Sequence, residues 1–577
     1  MLKVASLLQS TTLAFTSSPS SPIHHSIRLP SLVLSSLSLS MSTTTKLVSL
    51  EDHSPSYKLL LDKLRTISDL NNAASCLNYD RQVYMSPTSD GASASRGRQL
   101  ATLASMSHEL SISPEIGDLI QKATQDLNSL SIQNANLGDA KRILELEGAE
   151  YTKRVCIPKE LAARKAELEA KANSAWVKAR QNNDFASFAP LLKECFDTAT
   201  EIASLQLHGS EISLYSQMLD EFEMGMPAKR IDKLFVEVQC ALVPLIAKIR
   251  TAATATANEP SLLAPLTGRK FNINAQKEAC QRIVTALGYD INRGKIDVSV
   301  HPFTMSLSSG GHDVRITSRF TDDDWYQGLM GTIHEGGHAI YEQNLPSGGN
   351  DNLSIDTALS MGVHESQSLF WERHVGKTRE FYTWIRPILM DAFHNTDDGK
   401  EFAYTPEELY AAVNAVDFTN LIRVDADELT YPLHVILRYG IERDVISGKL
   451  DVNDIPNRWN SDMKTFLDIH VPDDTQGCLQ DIHWSFLAIG YFPTYLLGAI
   501  MAAQLAYYCE QDIPDMYNMI KVGKFDDIRG WLTRKVHVHG KRYKSLDDLL
   551  IAEVGEPLST KYFIDYLTMK YTDLYKI

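Results

Sequence analysis

Cysteine is scarce in this chain and badly placed for cross-linking: the seven residues stand at 76, 156, 195, 240, 280, 478 and 509, with no C-x-x-C pair. An odd, scattered set excludes both a disulfide framework and a cysteine zinc site, and it points to a reducing compartment. Cys478 reads as a small buried thiol. Positive charge is also in deficit. The net charge is −16 and no basic stripe exists, which argues against nucleic acid or an anionic membrane as partner. No Pro/Gly/Ser-rich linker or internal repeat divides the chain after residue 55, so 51–577 reads as a single domain. Apolar residues at 44% and charged ones at 22% suit a soluble protein with a substantial core.

Acidic residues are missing from the first fifty positions. Lys3, Arg28 and Lys46 are the fixed charges there, and Glu51 is the first carboxylate. A segment rich in serine and threonine, poor in acid and without a continuous apolar stretch resembles an organelle transit peptide more than a secretory signal. Residues 1–50 are therefore expected to direct plastid import, with mitochondrial import second and a disordered tail as the plain alternative. Met41 can also start a shorter cytosolic form.

Long uncharged runs are rare too. Beyond the first fifty residues, the one that reaches membrane-spanning length is Trp484 to Cys509. Gly490, Pro493, Gly498 and Gln504 interrupt it, Tyr491, Tyr495, Tyr507 and Tyr508 lie within it, and Asp481 and His483 stand at its head. No membrane span is expected; a buried core helix beside an active site fits better.

What is present begins with His334-Glu335-Gly336-Gly337-His338. Residues four apart share a helical face, so the two imidazoles of an H-E-x-x-H can converge on one zinc ion. Glu335, one step round, is placed to take a proton from a water beside the metal and pass it to a leaving amine. Trp325, Leu329, Met330, Ile333, Ile340 and Tyr341 recur at helical spacing around the motif, which predicts a mostly buried helix. Gly336 and Gly337 each cost such a helix about 1 kcal/mol relative to alanine. Close passage of another backbone or of a substrate would explain them, and so would simple crowding of helices.

Two histidines leave a hydrolytic zinc site one protein ligand short. The helical segment Met361–Glu372 offers Glu365 as the first candidate, with His364 and Glu372 as rivals. Between 55 and 250 the pattern is helical: Ile143–Val155, Pro158–Arg180 and Phe188–Leu207 carry apolar residues three and four apart, with dense charge on solvated faces. One β element interrupts. Asp297–Leu307 and Val314–Phe320 alternate around Ser308-Ser-Gly-Gly-His312, predicting a hairpin whose edge can pair with an extended peptide. His301 is a candidate cleft residue, or a structural one. Arg315 either orients substrate or pairs with Asp313.

Several short motifs then occur in one order: His301-Pro-Phe303, Asp313-Val-Arg315-Ile-Thr317, the H-E-x-x-H, His364-Glu-Ser-Gln-Ser368, Ile422-Arg423-Val-Asp-Ala426-Asp427 and Gly477-Cys-Leu-Gln480-Asp481-Ile-His483-Trp484. With Gly490–Tyr495 and the closing Lys561–Tyr571 stretch, this set resembles the carboxypeptidase Taq family of zinc metallocarboxypeptidases, from about residue 55 to the end. The resemblance implies a mainly α, large helical zinc-peptidase fold with a deep cleft and a small β-hairpin or sheet beside the H-E-x-x-H helix. It implies Glu365 as third zinc ligand with His334 and His338, Glu335 as general base, one zinc per chain in a site that other divalent metals such as cobalt can occupy, a homodimer, and broad action on peptides with free C-termini. His483 and Tyr491, in a segment similar to the tyrosine-bearing segment of helical zinc peptidases, are candidate oxyanion donors, with Tyr495 a further one. Arg423 is the candidate for the substrate's terminal carboxylate, held by Asp425 or Asp427. An oligopeptidase or endopeptidase using the same zinc chemistry is the alternative, and a non-catalytic zinc- or peptide-binding protein the more distant one.

Overall fold

Helices dominate because the sequence repeats apolar residues at three and four almost throughout. A computed structural model describes residues 50–577 apart from 87, 131–134, 208, 210, 256–264, 267–268, 347–352 and 395–401. The proposed transit segment lies outside the described residues, save its last, Leu50. The helices expected near the N-terminus are Ala135–Val155, Lys159–Asn182 and Phe185–Gln206, and Pro158 caps the second. Their charge runs form intrahelical pairs such as Arg154–Glu150 and Lys171–Glu167.

The elements that build the site are α1 (Pro55–Val83), α2 (Ile273–Leu287), β1 (Gly294–Val298), β2 (Phe303–Ser306), β3 (Val314–Ser318), α3 (Trp325–Asn344), α4 (Met361–Leu369), α5 (Tyr431–Ile446), α6 (Pro493–Asp512) and α7 (Thr560–Tyr575). One apolar core, from Leu168 to Tyr571, includes side chains from α2 to α7. A second cluster packs the N-terminal helices on Leu353 and Ile355.

The sheet has the order β1-β3-β2. The expected hairpin exists as β2 and β3, antiparallel, with Thr304 opposite Ile316 and Met305 opposite Arg315. Asp297–Leu307, however, is two strands rather than one. The backbone breaks at Ser299–Pro302, where proline cannot donate to a ladder, and β1 runs parallel to β3 on its other side. Alternation then sorts the side chains: Phe303 and Met305 pack with Tyr79 of α1, whereas Val314 and Ile316 join the core that holds Ile333 of α3.

The long uncharged run divides. Trp484–Phe492 is a short 3₁₀ turn and loop, and α6 begins at Pro493, a residue pre-shaped for a helix start. Among the described residues no helix is long and apolar enough to cross a membrane. All seven cysteines are free, and Cys478 is buried.

Candidate active site

The H-E-x-x-H lies in the middle of α3, buried except for a partly exposed His334. Its two glycines answer crowding by helices. A Cβ at Gly336 would stand 2.2 Å from Val284 Cγ2 of α2, and one at Gly337 would stand 2.7 Å from Ser368 Cα of α4. Where α6 meets α4, a Cβ at Gly498 would lie 2.7 Å from Glu365 Cβ. Three glycines thus let α3 and α4 close on each other, α2 on α3, and α6 on α4.

That closeness brings His334, His338 and Glu365 together, with donor atoms within 4.8 Å of one another. Nε2 of His338 is 3.4 Å and Nε2 of His334 3.7 Å from the same oxygen, Glu365 Oε2. Each ring is anchored through its other nitrogen. His334 Nδ1 donates to Glu372 Oε2 at 2.7 Å and His338 Nδ1 donates to the His364 carbonyl at 3.1 Å, so that in the neutral rings a metal requires both Nε2 atoms are acceptors facing Glu365. Two inward imidazole nitrogens and a carboxylate oxygen, each ring oriented by an outer partner, fit a divalent metal. Without a cation the charges are frustrated: burial opposes protonation of His334, yet Glu365 and Glu372 hold its pKa up at about 9, while burial pushes His338 down to about 3.

The rival third donors have other partners. Glu372 sits in the π-turn after α4 and binds the outer nitrogen of His334; His364 Nε2 meets Glu342 at 2.9 Å. Glu335 is 3% exposed, burial raises its pKa, and its Oε2 accepts from the Thr304 hydroxyl at 2.7 Å.

Buried His483 and Tyr491 form one group with the partly exposed Tyr495. His483 Nε2 lies 3.2 Å from the Tyr495 hydroxyl, its Nδ1 has no hydrogen-bond partner, and burial lowers its pKa to about 3. Burial, with the nearby Glu365 carboxylate, raises the Tyr491 and Tyr495 phenols. Arg423 belongs to the same wall: its guanidinium lies 4.7 Å from the Tyr495 ring centre.

Two expected partnerships are replaced. Arg423 is held by Asp481, which accepts from Nε at 3.1 Å and Nη2 at 2.9 Å, rather than by Asp425 or Asp427. Asp427 instead accepts from the Leu429 and Thr430 amides of its own turn. Asp481 also binds Arg438 of α5, so one carboxylate fixes two buried arginines. Arg315 gives both donors to Asp313, at 3.0 and 2.8 Å, and lies over Tyr79. By register it is on the α1 face of the sheet, opposite Thr304 and Glu335. His301 is half-buried in the turn between β1 and β2.

Sequence reasoning missed Thr304 and Glu442. Thr304 directly follows His301-Pro-Phe303, a position that could have drawn attention. Glu442, buried in α5, accepts from Tyr215 Oη, Trp484 Nε1 and the Gly490 amide, and so ties down the loop carrying His483 and Tyr491. Nothing in its local sequence marks it.

This geometry, an H-E-x-x-H helix crossed by a glutamate-bearing helix within an almost wholly helical fold, defines a metal-dependent hydrolase class. Residues 59–571 match the model of the carboxypeptidase Taq (M32) metallopeptidases; the chain belongs to that family and is a metallocarboxypeptidase. It is 35% identical over 518 residues to carboxypeptidase 1 of Bacillus subtilis, covering 90% of this chain and 98% of that one. Thermostable carboxypeptidase 1 of Pyrococcus furiosus is 32% identical over 519 residues, covering 89% and 98%. Among solved structures, metallocarboxypeptidase 1 of Trypanosoma cruzi superposes with a TM-score of 0.83 at 32% identity, covering 90% of this chain and 99% of that one. The M32 carboxypeptidase of Deinococcus radiodurans gives 0.83 at 32%, covering 91% and 100%.

Proposed function

We propose that the chain removes single residues from the free C-termini of peptides, with broad specificity, using one zinc ion held by His334, His338 and Glu365. The observation that carries this reading is the convergence of those three donors while both Nδ1 atoms are anchored outside. When bound, the ion supplies Lewis acidity toward the scissile carbonyl and toward a water molecule beside it. Glu335 takes that water's proton and delivers it to the departing amine. Tyr491 and His483 donate to the developing oxyanion, and Tyr495, bonded to His483, holds the imidazole in place.

Arg423 receives the substrate's terminal carboxylate. Asp481 occupies the Nε and Nη2 edge of the guanidinium, which leaves the Nη1 and Nη2 edge for two parallel hydrogen bonds. Burial with an ion-pair partner keeps this group charged and fixed, so little ordering is left for the substrate to drive. The working particle is proposed to be a homodimer, which light scattering tests by mass.

The decisive comparison uses one peptide with a free C-terminus and its amidated twin, with and without a chelator. The free peptide should lose single residues stepwise, the amidated one should resist, and chelation should stop the reaction until zinc is restored. Equal cleavage of both peptides would instead indicate an endopeptidase or oligopeptidase. We also propose plastid import through residues 1–50. A fluorescent reporter carrying them should enter plastids and one starting at Met41 should stay in the cytosol; a cytosolic signal from both refutes the import reading.

A further inference from the structure

Strand β2 contributes more to the site than an edge. Its alternation sends Phe303 and Met305 toward α1 and Thr304 toward α3, in register with Ile316. There the Thr304 hydroxyl lies 2.7 Å from Glu335 Oε2 and 2.9 Å from the Glu335 carbonyl oxygen. A hydroxyl has one proton to give, and a carboxylate is the stronger acceptor. Thr304 Oγ1 makes the one side-chain hydrogen bond to the Glu335 carboxylate found among the described residues.

A glutamate side chain has three rotatable bonds and must face the attacking water from a defined direction. Helix α3 fixes where Glu335 starts but not where its carboxylate points. Thr304 is suited to the remaining task, because branching at Cβ stiffens its χ1 and the hydrogen-bonded sheet holds its backbone. A hydrogen bond to Oε2 leaves Oε1 free to receive a proton.

We infer that Thr304 is a positioning residue for Glu335, aiming one carboxylate oxygen at the attacking water by holding the other. This rests on Glu335 being the general base. It assigns Thr304 no contact with metal or substrate, so its loss acts on the rate of the chemical step and leaves binding intact. It also places that aim on the strand beside which an extended peptide would lie, so substrate and base take their alignment from one rigid element.

The test measures kcat, KM and zinc content for Thr304→Val, Thr304→Ser, Thr304→Ala, Glu335→Gln and the double variant Thr304→Val/Glu335→Gln. Thr304→Val keeps the branched shape and loses the donor, so kcat should fall about 10- to 100-fold, the size of a lost hydrogen bond to a charged group, with KM within about twofold. Zinc content should be unchanged. Thr304→Ser restores the hydroxyl and should recover kcat to within about threefold, while Thr304→Ala should resemble Val and serves if Val disturbs the strand. In the Glu335→Gln background, Thr304→Val should add no comparable further loss. Near wild-type kcat in both Thr304→Val and Thr304→Ala, beside an inactive Glu335→Gln, overturns the role of Thr304 alone. So does a Ser variant as slow as Val, or an equal loss in both backgrounds. Full turnover by zinc-loaded Glu335→Gln removes the base itself, and the inference falls with it.

Discussion

Gly337→Ala should strip the metal from this enzyme while barely changing its fold. The added Cβ would stand 2.7 Å from Ser368 Cα and 2.8 Å from the Gln367 carbonyl oxygen, both backbone atoms of α4, whereas ordinary contact begins at 3.4 Å. Backbone cannot rotate away, so α4 must retreat by about 0.7 Å, the difference between those distances. Glu365 is three residues from Ser368 on the same helix and moves with it. Zinc sites hold their ligands to within about 0.2 Å, so a shift of that size takes Glu365 out of range. The stability change is small because overpacking of about 1–3 kcal/mol is partly offset by about 1 kcal/mol of helix propensity gained from alanine. Zinc affinity should fall at least about 10- to 100-fold. Gly336→Ala is the matched control. Its Cβ meets Val284 Cγ2 at 2.2 Å on α2, which carries no proposed ligand, so it should lower thermal stability with a much smaller change in zinc affinity. Metal content after dialysis against buffered zinc, read beside thermal unfolding, separates the two. Wild-type affinity in Gly337→Ala, or equal metal loss in both variants, would refute the reasoning.

The two glutamates near the histidines should separate in the same assay: Glu365→Gln loses retained zinc and turnover, while Glu372→Gln lowers zinc affinity about 10-fold and recovers activity in excess zinc. Full metal occupancy and activity in Glu365→Gln with loss of both in Glu372→Gln would exchange their roles. Arg423→Lys keeps the charge but loses the fork, so kcat/KM for free-carboxylate peptides should fall at least about 10-fold with zinc content unchanged. A change confined to unfolding or metal content would assign Arg423 to the scaffold with Arg438 and Asp481. Burial raises the pKa of Glu442 from 4.5 to about 7 against the opposing effect of its three hydrogen bonds. The fold therefore favours the neutral acid, and this contribution is complete below pH 4.5 and lost as pH rises through about 7. Wild-type stability relative to Glu442→Gln should accordingly drop by up to about 3 kcal/mol between those limits. Denaturant midpoints at several pH values measure that gap, and a gap independent of pH contradicts the assignment.

Helical spacing by itself determined that His334 and His338 share a face and that Glu335 lies beside them, because those relations follow from 3.6 residues per turn. The helical framework, the buried character of α3 and the absence of a membrane-spanning helix among the described residues were legible for the same local reason. The third donor was not legible from spacing alone. His364, Glu365 and Glu372 share one segment; its spacing put Glu365 first without excluding the other two, and the resemblance to a known family singled it out. Which of them faces the histidines depends on where α4 crosses α3, and at that crossing Gly337 lets the Ser368 backbone come close, while Gly336 admits Val284 of α2 and Gly498 admits Glu365 against α6. The partner of Arg423 was hidden in the same way. Asp425 and Asp427 are nearer in the chain, but their turn points them elsewhere, and the carboxylate that reaches the guanidinium comes from Asp481, 58 residues on. Glu442 and Thr304 act through hydrogen bonds to residues 48 and 31 positions away. Periodicity records what a residue does to its own helix or strand. Only packing decides which distant donor and acceptor meet, since the cost of burying either one unpaired is met by a partner from another element.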